Sequence, residues 1–331
     1  MIASRRRRAG LVVAAVFAAA AFGAGWIAEV GTASHLTAAS RLPVTESPTP
    51  TPTTGFKSAS GACPPSVYPN PSCVGFRAGT VVVRTVEGDY TADAPGQVIA
   101  GWHITGNLIV TAPQVVIRDS QIDGIVTDGD AEGASFTITD STIGPKSGCH
   151  FDRTYYNVGL NGHDITALRV FARNDEDGLD LSGGNVHIAD SLFVQCFLGA
   201  SVVGGDGYHS DGVQDLCDAV CSNLTLTHNT FDSRDGGNSA LNLGSEADGL
   251  KLRAVTLSDN LFLGGGYTTY LQWDGGPPWT VTNNHWVDKT WEYDALETQG
   301  TCSHQNWSGN NIVTIDSSYR IASTIGALTC A

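Results

Sequence analysis

The chain has 331 residues, of which 39 are Gly and one is Met, and 15% are charged. So much Gly with so little charge excludes a helical bundle, because each Gly in a helix interior costs stability. Acidic residues outnumber basic ones by 33 to 18, for a net charge of −15, which excludes a nucleic-acid partner gripped by clustered Lys and Arg.

Residues 1–28 open with Arg5 to Arg8 and continue as an uncharged, Ala-rich run from Ala9 to Ala28. This is the pattern of an export signal, either cleaved as a signal peptide or kept as an N-terminal anchor, since the run approaches the length that spans a bilayer. Without the four leader arginines the net charge is −19. A secreted or extracellular protein is expected, attached to a cell surface if the anchor stays. Residues 29–60 are rich in Ser, Thr, Pro and Ala, with SPTPTPTTG at 47–55, and read as a disordered linker. Residues 61–331 then form the folded domain, with 61–80 expected to cap its open N-terminal edge. An even count of eight Cys suits disulfides in an exported chain. Cys63 with Cys73, Cys217 with Cys221 and Cys302 with Cys330 are the near pairs, leaving Cys149 with Cys196, although spacing alone leaves the connectivity open.

Beyond residue 75 an octet recurs: VVIRDSQI at 115, FTITDSTI at 136, VHIADSLF at 186, LTLTHNTF at 224 and VTLSDNLF at 255, with looser copies DITALRVF at 164 and TVTNNHWV at 280. Alternating apolar and polar residues mark a strand, and the polar pair that follows turns the chain. The marker residues Ser120, Ser141, Arg169, Ser191, Asn229, Asn260 and Asn284 are separated by 21, 28, 22, 38, 31 and 24 residues. A constant strand with loops of variable length predicts an all-β fold, a single-stranded right-handed parallel β-helix with a polar ladder stacked at one corner. A second set of strands, GLDLS at 178, GVQDL at 212, ALNLG at 240 and YLQWD at 270, points Leu and Val inward and Asp180, Gln214, Asn242 and Gln272 outward as a column.

Chemistry concentrates on that column. NDEDGLDL at 174–181 crowds Asp175, Glu176, Asp177 and Asp180, and such crowding demands a hard cation or raised pKa values. Calcium at Glu176, Asp177 and Asp180 is one reading, and a solvated turn shaped by Asp177-Gly178 is the other. On the next coil GYHSDGVQ at 207–214 brings His209 and Asp211 toward Asp180. His209 is suited to proton transfer, and Asp180 with Asp211 would suit a glycosidase acid and base. Exposed Trp273 is a platform for a sugar ring. Lys146 and Arg153 would meet uronate carboxylates, with Gln214, Asn242 and Gln272 bonding hydroxyls.

The octets and Asp-Gly turns resemble the pectin-lyase-like superfamily over roughly residues 75–315. EDGLDL at 176–181 resembles the acidic calcium motif of family-nine pectate lyases, with Glu176, Asp177 and Asp180 at its three carboxylate positions, but Gln214 stands where the resemblance would place a catalytic Lys. HSDGVQ, SALNLGS and LFLGGGYTTY are similar to segments of secreted actinobacterial β-helix proteins. No GHG or RIK is present, so polygalacturonase residues do not carry over. The residues and the expected fold together point to a monomeric polysaccharide lyase or epimerase acting on an acidic polysaccharide, with Asp180, His209 and Asp211 catalytic. A hydrolase using paired carboxylates and a non-catalytic glycan-binding or cell-surface β-helix are the alternatives.

Overall fold

Each octet forms a strand, a two-residue corner and a second strand. Val115–Arg118 is followed by Gln121–Ile122, Phe136–Thr139 by Thr142–Ile143, and Val186–Ala189 by Leu192–Gln195. The corner residues Asp119, Asp140, Arg169, Asp190, His228, Asp259 and Asn283 all have φ between 47° and 57°. Asp and Asn tolerate this left-handed conformation because their short side chains bond locally.

The computed structural model describes residues 63–330, apart from 65, 150–157, 198–209, 218–219, 245–250 and 274–275. These belong to one compact unit that begins at Gly55. First octet halves stack into a nine-stranded sheet, the octet sheet, and second halves into an eleven-stranded back sheet. A nine-stranded front sheet, from Tyr90–Ala92 to Asp294–Glu297, joins one coil to the next. Pairing is parallel in each register up to the end of the back sheet, where Ile321–Ala327 turns antiparallel to Asn311–Ile315. The architecture is a parallel β-helix.

The interior is built from in-register stacks. Ile117, Ile138, Ala167, Ile188, Leu226 and Leu257 follow one another in the octet sheet and are at most 1% exposed. In the back sheet the rings of Phe193, Phe231, Phe262 and Trp286 stack at centroid distances of 5.1, 5.6 and 5.3 Å. Trp286, fully buried, donates its indole N–H to Thr269 Oγ1 at 3.0 Å.

The expected corner ladder is present, with two different bonding habits. Ser120, Ser141 and Ser191 each donate the hydroxyl to the carbonyl two residues earlier in their own coil. Asn229, Asn260, Asn284 and Asn310 instead reach the preceding coil, donating to the carbonyls of Ile188, Leu226, Leu257 and Val281 at 2.8–3.0 Å. In DITALRVF the ladder position is Val170, whose N–H donates to Ser191 Oγ, while Arg169 occupies the left-handed corner. The marker assigned to Arg169 is therefore one residue early, because an apolar residue at the ladder position hides the motif.

The N-terminal segment does not cap the end of the helix. Its Tyr68 packs with Leu261, Leu263, Val287 and Val313 on the outside of the late back-sheet coils, and Cys73 and Val74 pack on Leu192. Gly75 and Phe76 then bond Arg169 and Thr142, and the chain enters the first coil where Arg84 pairs with Trp102. Residues 67–77 are thus a strap laid against the stacking direction. Apolar residues on the outer face of the back sheet explain the difference, since burying them is worth more than covering one coil. Val81 and Val83 remain 68% and 56% exposed. The Tyr68 hydroxyl meets Asp259 Oδ1 at 2.8 Å and His285 Nδ1 at 2.7 Å. Tyr68→Phe is expected to lower stability by about 1–2 kcal/mol, as removal of a bond to a charged partner does; an unchanged denaturation midpoint would mean that the strap is held by packing alone.

Four disulfides form, Cys63–Cys73, Cys149–Cys196, Cys217–Cys221 and Cys302–Cys330, and indicate an oxidising environment. Among the described residues no helix is long and apolar enough to cross a membrane.

Candidate active site

The front sheet brings part of the expected column together. Asn161, Asp180, Gln214, Asn242, Tyr270 and Glu297 follow one another in register. Tyr270, not Gln272, holds the position beside Asn242, since the strand Tyr267–Leu271 pairs two residues earlier than expected. Gln272 lies beyond that strand and donates its backbone N–H to Leu243.

Leu179, Leu181 and Val213 enter the core, so alternation turns Asp180 to the other face. Asp177 joins it through a break in the alternation. The N–H groups of Gly178 and Leu179 donate in succession to Asp211 and Gly212, at 3.0 and 3.1 Å, which a regular strand cannot do. A Cβ on Gly178 would lie 2.5 Å from the Gly212 carbonyl oxygen and 3.0 Å from Phe193 Cδ1, and one on Gly212 would lie 2.1 Å from the Ala240 oxygen. Both Asp-Gly pairs are therefore sites where the backbone presses on the next coil and only Gly has room. The preceding carboxylates are turned outward as a result.

Asp211 is fully buried and is the acceptor of the cluster. Asn238 Nδ2 donates to Asp211 Oδ1 at 3.0 Å, Ser239 Oγ donates to the same oxygen, and Asn242 Nδ2 reaches Oδ2 at 3.4 Å. The Asp211 backbone N–H donates to Asp177 Oδ1 at 2.6 Å. Asp180 is buried, and its Oδ1 has no hydrogen-bond partner. Its carboxyl is pushed up to about 8 by burial first, then by the charges of Asp211 and Glu176. Asp177, part-exposed, is raised well above the ordinary carboxylate range by burial, then by Asp180 and Asp211. The site thus combines two carboxyls raised toward the protonated form, Asp180 to about 8, with a carboxylate fixed by three donors, the separation that acid–base chemistry needs.

The other expected site residues fare differently. Asn242 is buried and spends its amide on Asp211, which closes it as a site for sugar hydroxyls, whereas Gln214 stays half-buried. Trp273 is part-buried, stacks on His304 at 4.1 Å and packs against the core. Lys146 is exposed in the turn after Thr142–Ile143. His209 and Arg153 lie outside the described residues. Among the described residues no group of three or more His, Cys, Asp or Glu side chains is arranged to hold a metal ion.

Asn238 and Ser239 escape the column as read from sequence, although a signal for Ser239 exists. Asp177 precedes Asp180 by three residues, Asp211 precedes Gln214 by three, and Ser239 precedes Asn242 by three. Asp211 and Ser239 form a parallel bridge. Tyr270 was equally hidden by the register. Its hydroxyl is raised by burial and then by Asp211, which places it within the field of the cluster.

No family model, curated protein or solved structure matches this chain.

Proposed function

We propose that this is an extracellular carbohydrate-active β-helix protein that hydrolyses a glycan over the front sheet. The observation that carries the reading is the pair of carboxyls with raised proton affinity, Asp177 and Asp180, beside the fixed acceptor Asp211. Asp177, the most accessible of the three, acts as the acid that protonates the glycosidic oxygen. The charge of Asp211 holds that proton on its neighbours until the leaving oxygen takes it, and then stabilises the positive charge that develops on the sugar ring; water adds to the anomeric carbon as the glycosidic bond breaks, and its proton returns to Asp177. Asp211 thereby serves as the anion behind the acid, and Asp177 takes the part first expected of Asp180.

Elimination fits less well, because it needs a positive group to stabilise the developing carbanion. Among the described residues, the charges that act on Asp177 and Asp180 are those of other carboxylates. A non-catalytic amide stripe fits less well too, since Asn242 faces Asp211. The four disulfides support an extracellular setting.

Incubating the full chain with neutral and uronate polysaccharides, with calcium or with a chelator, tests this reading. New reducing ends without the ultraviolet absorbance of unsaturated uronate are expected, insensitive to the chelator and lost in Asp177→Asn. Absorbance rising with the reducing ends would replace hydrolysis by elimination. Absence of product from every polymer would remove the enzymatic reading.

A further inference from the structure

Two coils beyond Gln214 the same face of the front sheet changes character. Tyr267 and Tyr270 meet edge to face at 5.5 Å, and Tyr267 meets Tyr293 at 5.5 Å with the rings tilted by 49°. Tyr293 is 64% exposed. The backbone builds this patch deliberately: Tyr293 N–H donates to the Gly266 carbonyl at 2.8 Å, and a Cβ on Gly266 would lie 3.0 Å from the Tyr293 ring. Gly266 thus leaves the ring room to lie against the sheet.

The patch continues the candidate active site. Tyr270 stands three strand steps from Asp180, through Gln214 and Asn242, a distance of about 14 Å at the usual strand spacing. That is the span of a short oligosaccharide.

Charge restricts what can lie there. None of the nine front-sheet strands carries a Lys or an Arg, whereas the last of them carries Asp294 and Glu297. Asp294 and Glu297 are in register with Tyr267 and Tyr270 themselves. A polyuronate laid along this face would set carboxylate against carboxylate with no cation on the strands between them. An uncharged sugar ring meets no such penalty and presents an apolar face to the aromatic rings.

We propose that Tyr267, Tyr270 and Tyr293 form a binding subsite for the uncharged sugar rings of a neutral polysaccharide, extending the cleft that begins at Asp177. This rests on the reading of the carboxylate cluster as a glycan-cleaving site, but its test does not require turnover. The full chain carrying Asp177→Asn is run in native gels containing a soluble neutral polymer (galactan, mannan, xylan or mixed-linkage glucan) or a polyuronate (polygalacturonate or alginate), the latter with and without calcium. Retardation by at least one neutral polymer and by neither polyuronate is expected. Adding Tyr293→Ala or Tyr267→Ala should weaken that affinity by about 5–10-fold, the loss of one stacked ring. Stronger retardation by a polyuronate, retardation by no neutral polymer, or undiminished binding in both tyrosine variants would overturn the proposal. Binding without cleavage by the unsubstituted chain would leave the subsite standing and remove the catalytic reading instead.

Discussion

Asp180→Asn is expected to make the protein more stable and less active at once. In the folded chain the carboxyl holds its proton up to about pH 8, whereas in the unfolded chain it ionises near the ordinary value of about 4. Between those two values the folded state binds the extra proton, so stability falls as pH rises and the penalty is complete above the folded pKa. An amide removes that penalty. The gain should be on the order of 5 kcal/mol at pH 8 and should vanish near pH 4. Denaturant unfolding of both proteins at the two pH values measures it, and an Asn variant no more stable at pH 8 would mean that Asp180 is not held protonated. Activity should fall as well, but by less than in Asp177→Asn, because Asp180 raises the proton affinity of the acid Asp177 and does not itself transfer the proton. A site that costs the fold stability and supplies chemistry is the trade expected of a functional cluster.

Asn260→Ala should produce the largest loss of stability at a position remote from the chemistry. Asn260 is fully buried. Its Oδ1 receives both the backbone N–H and the Nδ2 of Asn229 at 3.0 Å, and its own Nδ2 donates to the Leu226 carbonyl at 2.8 Å. Truncation leaves a buried N–H and a buried carbonyl short of partners and opens a gap between coils. A cost of about 3–5 kcal/mol follows. Asn260→Ser should cost less, because a hydroxyl at this corner can still accept from the neighbouring coil, as Ser141 Oγ does from the Ser120 N–H. Equal losses for Ala and Ser in chemical denaturation would show that the amide's second bond, back to the preceding coil, is what matters.

The fold was legible because the repeat is local. Eight residues contain the strand, the corner and the next strand, and the apolar positions of each octet fall on the core face. The same logic failed where an apolar residue replaced the corner marker, at Val170, and where a strand began early, at Tyr267. A displacement of two residues keeps the side chains on the same face, so inward and outward alternation cannot detect it, and Gln272 was read in place of Tyr270. The carboxylate cluster was legible as crowding. Its polarity was not, since the donors Asn238 and Ser239 come from the following coil and the outward turn of Asp177 and Asp211 depends on backbone pressed against Gly178 and Gly212. The strap was illegible for a plainer reason: Tyr68 lies 191 and 217 residues from Asp259 and Asp259's neighbour His285, and no periodicity links them.

That distance bears on how the chain comes to be folded. Coils of a β-helix can close one after another as they are synthesised, each on the edge of the last. Residues 67–77 are made before any coil, yet their docking surface includes Val313 and Tyr319, which are made almost last. A segment that precedes the first coil must therefore wait for the last one, and its docking is a long-range closure of the kind that slows folding. Once shut, it ties the coils near Thr142 to those near Val313, so that the final coils cannot peel away without first releasing the segment that precedes the first one.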